Sequence, residues 1–107
     1  MQATSVRQHI MRIRQMIRKR NLVEARRLLD QLEEGGTAGL EDRELSSLHH
    51  VTGQIAEAEG DRSGAFLHYQ FSLIYTDHPL ARRSLQALRR DWTQFDEAVD
   101  WPHAGRG

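Results

Sequence analysis

Apolar residues recur along this chain at three- and four-residue intervals, the spacing that gathers side chains on one face of an α-helix. Val6, Ile10, Ile13 and Ile17 form the first such set, so a helix is expected from about Ser5 to Arg20. Asn21 interrupts the pattern and reads as an N-cap, and Glu24 three residues on completes a capping-box pattern. Ala25, Leu28, Leu29 and Leu32 make the inner face of a second helix, which Gly35-Gly36 should end. Residues 33–43 read as an acidic loop. A third helix is expected from Glu41 or Asp42, where negative charge suits a helix N-terminus. Its apolar face is Leu45, Leu48, Val51, Thr52 and Ile55. Gly60 ends it, and Asp61 caps a fourth helix carrying Ala65, Phe66, Tyr69, Leu73 and Tyr75 or Thr76. That helix closes before His78-Pro79, because a residue preceding proline avoids the helical region. Pro79 suits the first turn of a fifth helix with Ala81, Leu85, Leu88, Trp92 and Phe95 on one side. This helix should fray near Val99 and leave 100–107 as a flexible tail. No stretch alternates apolar and polar residues as a strand does. The pattern predicts an all-α fold of about five antiparallel helices.

The helices also repeat in pairs. Arg20-Asn21 and Gly60-Asp61 are equivalent two-residue turns. Alanine follows each cap by four residues, at Ala25 and Ala65, and a large apolar residue follows four later, at Leu29 and Tyr69. Residues 46–79 resemble the tetratricopeptide motif, a pattern of about 34 residues, through Gly53, Gly60, Ala65, Tyr69 and Ser72. The physical logic is a close helix approach at Gly53 and Ala65, filled by Tyr69, with Gly60 allowing the tight turn. The departures are His49 where an aromatic is usual, Thr52 in the middle of the helix, and a late Pro79. Residues 6–39 share only Ala25 and the turn. The resemblance implies one helical domain over 1–99, with helix pairs 5–35 and 41–77 and a capping helix over 79–98. It also implies a concave groove lined by the first helix of each pair, and a role in binding other proteins.

Charge sharpens that expectation. The 107-residue chain, long enough for one domain, has net charge zero and no cysteine. Yet residues 1–30 hold eight basic and two acidic side chains, while 31–61 hold one basic and eight acidic. Nearly all the cations are arginine, whose planar fork holds carboxylates and phosphates. On a helical wheel set at Ile10, Arg14, Arg7 and Arg18 fall at about 40°, 60° and 80°, along one border of the apolar face. The family's usual contact positions fall on Arg7, Ile10, Arg14, Ile17 and Arg18, and on Ser47, His50, Gln54, Glu57 and Ala58. Arg7, Arg14, Arg18, His50 and Gln54 are therefore the expected partner-binding residues. The lysine-and-asparagine clamp with which the family holds a terminal carboxylate is missing, so acidic side chains are the expected ligand. The other reading of the stripe is a solvated basic face, neutralised by the acidic 31–61 segment.

Catalytic chemistry is not expected. No two of the six histidines have the i, i+3 or i, i+4 spacing of a helical metal pair, and His68, beside Tyr69, should be exposed. No glycine-rich phosphate loop follows a strand, and no nucleophile has a recognisable setting. Glu33/Glu34 and Glu57/Glu59 read as solvated helix ends. Trp92 and Phe95 read as core, or as a face for a partner or a second copy, and Trp101 has no place in the helical pattern. No cofactor, metal or membrane span is expected, residues 1–20 do not read as a signal peptide, and the cytoplasm is the expected location. The expected function is a non-catalytic adaptor or chaperone-like module that binds a protein partner, either an acidic segment or a larger complex, with homodimerisation open. The alternative is nucleic-acid binding by the arginine-rich first helix, which would weaken steeply with salt. Against it stand the zero net charge and the lack of interleaved basic and aromatic residues.

Overall fold

The computed structural model describes residues 5–96, with side chains as far as Asp91. It contains five helices: α1 (Val6–Arg18), α2 (Leu22–Glu34), α3 (Asp42–Ala58), α4 (Arg62–Tyr75) and α5 (Pro79–Asp96). No strand occurs among the described residues. Trp101, the tail, and the side chains of Trp92 and Phe95 lie outside them. Among the described residues no helix is long and apolar enough to cross a membrane.

Local chemistry explains the helix ends. Ser5 Oγ accepts the Gln8 N–H at 3.1 Å, and Gln8 Oε1 accepts the Ser5 N–H at 3.4 Å. This reciprocal box satisfies two backbone donors that a helix start leaves unpaired. The box expected at Asn21 is only half formed. Asn21 Oδ1 accepts the Glu24 N–H at 3.3 Å, but the Glu24 carboxylate turns to Arg27, with contacts of 2.6 and 2.9 Å. A two-pronged bond to a guanidinium outcompetes a neutral N–H. α2 continues through Glu33 and Glu34, so the expected loop shrinks to residues 35–41. Gly36, at φ 87°, takes the left-handed conformation just beyond the helix. At the start of α5, His78 Nδ1 accepts the Ala81 N–H at 3.3 Å, a capping role for histidine that the sequence did not suggest.

The two hairpin turns are copies of one another. Asn21 N–H reaches Met16 O at 2.8 Å, and Asp61 N–H reaches Ala56 O at 2.8 Å. Arg20 N–H reaches Ile17 O, and Gly60 N–H reaches Glu57 O, both at 3.0 Å. Both turns need a left-handed residue before the cap, supplied by Arg20 (φ 63°) and Gly60 (φ 88°).

α3 is the central element, packed against α4, α1 and α2. The sequence assigned it one apolar face, but burial also takes in Ser46, His50, Gly53 and Ala56. One apolar cluster joins Ile10, Ile13, Ala25, Leu28 and Leu29 to Leu48, Val51 and Ile55. A second joins Ala56, Ala65, Tyr69, Leu85 and Leu88. Fully burying one aliphatic side chain of this kind is worth about 1.5–3 kcal/mol. The α3–α4 crossing is close: a Cβ on Gly53 would lie 2.6 Å from Tyr69 Cε1. Ser46 Oγ donates to Ser72 O and Ser72 Oγ donates to Ser46 O, each at 2.7 Å, so both buried hydroxyls are satisfied across the crossing. Thr76 Oγ1 donates to Ser46 Oγ at 2.9 Å. Thr76 thus turns inward, and Tyr75 stays exposed.

Candidate interaction groove

Three adjoining cavities run along the side of the molecule where α1, α3 and α5 meet. The first, about 570 Å³, lies between Arg7, Ile10, Met11 and Arg14 of α1 and Glu41, Arg43, Glu44 and Ser47 at the start of α3. The second, about 200 Å³, is lined by Arg14, Ile17 and Arg18, by His50 and Gln54, and by Leu80, Arg83 and Ser84 of α5. The third, about 250 Å³, is lined by Ile17, Gln54, Glu57, Ala58, Tyr69 and Ser84. Arg14 is shared by the first two, and Ile17, Gln54 and Ser84 by the last two. Together they form one trench with α1 as a wall and α3 as the floor, and α5 supplies the other wall at the second and third cavities.

All five expected binding residues line this trench. Arg14, Arg18, His50 and Gln54 meet at the second cavity, and Arg7 joins Arg14 at the first. His50 has a different role from the one expected. It is only 2% exposed, so it is not a contact residue. Its Nδ1 lies 3.2 Å from Arg14 Nη2. A guanidinium can only donate, so Nδ1 accepts and the ring proton sits on Nε2, 3.4 Å from Ser84 Oγ. Burial first, then the charges of Arg14 and His78, push the His50 pKa down to about 3. The ring is therefore neutral at neutral pH. It acts as a strut, tying Arg14 of α1 through α3 to Ser84 of α5.

Arg14 is half-buried, and burial first, then the neighbouring Arg18, lower its pKa. It stays charged, since arginine titrates far above neutrality. Its Nε and the Oε1 of Gln54 are buried without a hydrogen-bond partner. Arg26 pairs with Asp30 and Glu59, Arg27 with Glu24, and Arg82 with Asp77. Among the described residues Arg7, Arg14, Arg18 and Arg83 have no such carboxylate. The acidic segment does not neutralise the stripe by ion pairing: its Glu59 goes to Arg26 at 2.7 Å, away from it. Glu57 accepts the Tyr69 O–H at 2.7 Å, and burial, with that bond second, raises the Tyr69 pKa. Both glutamates thus have protein partners, where the sequence suggested solvated helix ends.

Two features escaped the sequence. Leu80, Arg83 and Ser84 form a second face of α5, beside that of Ala81, Leu85 and Leu88, and its i, i+3, i+4 spacing is present in the sequence. The other is on the far side of α3. His49 Nδ1 and His68 Nδ1 lie 3.0 Å apart, so one ring donates and the other accepts. His68 is half-buried rather than exposed, and His49 also meets Phe71 and Tyr75, with ring centres 5.2 and 5.7 Å away. Burial is the first cause of the lowered pKa of each. The antiparallel register that sets Ser46 against Ser72 also sets His49 against His68, a relation no spacing within one helix reveals. Among the described residues no group of three or more histidine, aspartate or glutamate side chains could hold a metal ion.

The chain matches no family model, no curated protein and no solved structure.

Proposed function

We propose that this protein is a non-catalytic interaction module, an adaptor or chaperone-like protein of tetratricopeptide-like build, acting in the cytoplasm. Its trench along α1, α3 and α5 holds an acidic segment of a partner protein. The observation that carries this reading is the set of Arg7, Arg14, Arg18 and Arg83 along one trench without carboxylate partners. A half-buried guanidinium without a counter-charge is unfavourable, and a partner carboxylate relieves that cost. Charge steers approach and fixes orientation, while Met11, Ile17 and Leu80 offer apolar contact. The alternative, nucleic-acid binding, fits the same cations less well. The chain has net charge zero, and its basic residues are not interleaved with aromatic ones.

The test is recovery of a partner from nuclease-treated native extract at low and high salt, by wild type and by Arg14→Glu with Arg18→Glu. The double variant should keep its helical circular dichroism and lose the partner. A partner retained at wild-type affinity would move the binding site elsewhere. Recovery of nucleic acid alone, lost at high salt, would establish the alternative.

A further inference from the structure

We infer that the second cavity is a subsite for one acidic side chain of the bound segment, read together with that residue's main-chain N–H. The inference rests on the trench reading and adds to it the place, the ligand group and the role of α5. Arg14, Arg18 and Arg83 bring three guanidinium groups to a cavity of about 200 Å³, a small space for one carboxylate. Two of these cations come from α1 and the third from α5, so the subsite exists only where the two walls face each other.

Two unmet polar atoms specify the ligand further. The Arg14 Nε–H needs an acceptor and Gln54 Oε1 needs a donor, and both residues line this cavity. Buried polar atoms without partners are costly and uncommon in folded proteins. Both atoms are covered in the free protein, so the ligand meets them as the Arg14 and Gln54 side chains turn toward it. A phosphodiester, which carries acceptors and no O–H, would satisfy Arg14 and leave Gln54 Oε1 facing further acceptors. An aspartate or glutamate in an extended peptide offers a carboxylate and, a few ångströms away, an amide N–H. His50 sits under Arg14, neutral and tied to Ser84, so it adds no competing charge and limits where the guanidinium can go.

The experiment is an NMR titration of the isotope-labelled full chain with three probes: N-acetylglutamate N-methylamide, its glutamine counterpart, and dimethyl phosphate. The glutamate probe should shift Arg14, Gln54 and Ser84 saturably, and the glutamine probe should not. Dimethyl phosphate should bind more weakly and leave the Gln54 side chain unmoved. Arg83→Ala should weaken the glutamate probe about tenfold, the usual scale for one charge-assisted hydrogen bond. Gln54→Met should remove the preference for glutamate over phosphate while phosphate binding persists. The subsite is overturned if phosphate binds as tightly as the glutamate probe, if Arg83→Ala changes nothing, or if no probe shifts these residues saturably. Its fate separates from that of the trench. Loss of the partner in the charge-reversed variant, with no response to the glutamate probe, leaves the trench standing without the subsite. Saturable glutamate binding, with the partner retained by that variant, leaves the subsite standing and removes the trench.

Discussion

The α1–α2 and α3–α4 hairpins have the same turn and fill their interiors by different means. Counting 40 residues from one hairpin to the other, Ile13 corresponds to Gly53 and Leu29 to Tyr69. In the first hairpin two medium aliphatic side chains, both fully buried, share the space. In the second, Gly53 contributes nothing and the Tyr69 ring takes the whole gap. Three further equivalents follow the same division. Val6 and Leu32 become Ser46 and Ser72, which bond to each other's backbone, and Ile10 becomes His50. An aliphatic interior asks only for volume, and volume can be redistributed. A glycine–tyrosine contact with buried hydroxyls and an imidazole demands one register, because each polar atom must meet its partner. The second hairpin is therefore the more specific and the more titratable of the two.

The strongest way to break this comparison is at the second crossing. Ala65→Trp places an indole where the side chain has no exposure, and overpacking of that size should abolish the cooperative thermal transition. An unchanged melting temperature would mean the α3–α4 crossing is not packed as described.

Acid comes next. Burial depresses the pKa of His49, His50, His68 and His78 in the folded protein, His50 to about 3 against an ordinary 6.5. The unfolded chain takes up these protons first as pH falls. Stability is thus fully present above about pH 6.5 and declines from there towards pH 3. The slope is about 1.4 kcal/mol per pH unit for His50 alone, at most ~5 kcal/mol from that residue over the whole range. Denaturant unfolding across pH measures this, and His50→Ile, which copies Ile10, should flatten the curve. A stability that holds constant from pH 7 to pH 4 would refute it.

Gly53→Ala should cost about 1–3 kcal/mol, because its Cβ meets the Tyr69 ring. Gly53→Ile alone should be worse. Adding Tyr69→Leu, which transplants the first hairpin's pair, should recover stability relative to Gly53→Ile. If the double variant is no more stable, the two hairpins do not fill equivalent space. The smallest effect is at the turns. Arg20 holds the left-handed conformation that Gly60 holds at lower strain. Arg20→Gly should therefore raise stability by about 0.5–1 kcal/mol, read as a melting temperature higher by a few degrees.

Much of the fold was legible. The three- and four-residue spacing placed all five helices, and Asn21, Gly36, Gly60, Asp61 and Pro79 marked their ends within a few residues. The arginine stripe was visible for the same reason, since Arg7, Arg14 and Arg18 share one helix and one geometry. The groove as a whole was not. Arg83 and Ser84 belong to a helix that the pattern assigned only to covering the last pair, and nothing local shows that its second face looks across at α1. His50 was placed at the groove by register, but its burial depends on three helices closing around it. His49 and His68 lie on different helices, so their pairing follows from the crossing and not from their spacing.

The division has a physical cause. Helix positions, caps and the charge asymmetry of the chain depend on residues within a turn or two of each other, and the sequence by itself determined them. Which side chains meet across helices depends on axial distance and rotation, and small residues such as Gly53, Ser46 and Ser72 set these for α3 and α4. Only the tertiary structure decided that Arg14 rests on a neutral His50, that α5 brings Arg83 to the same cavity, and that the acidic segment leaves those arginines unpaired.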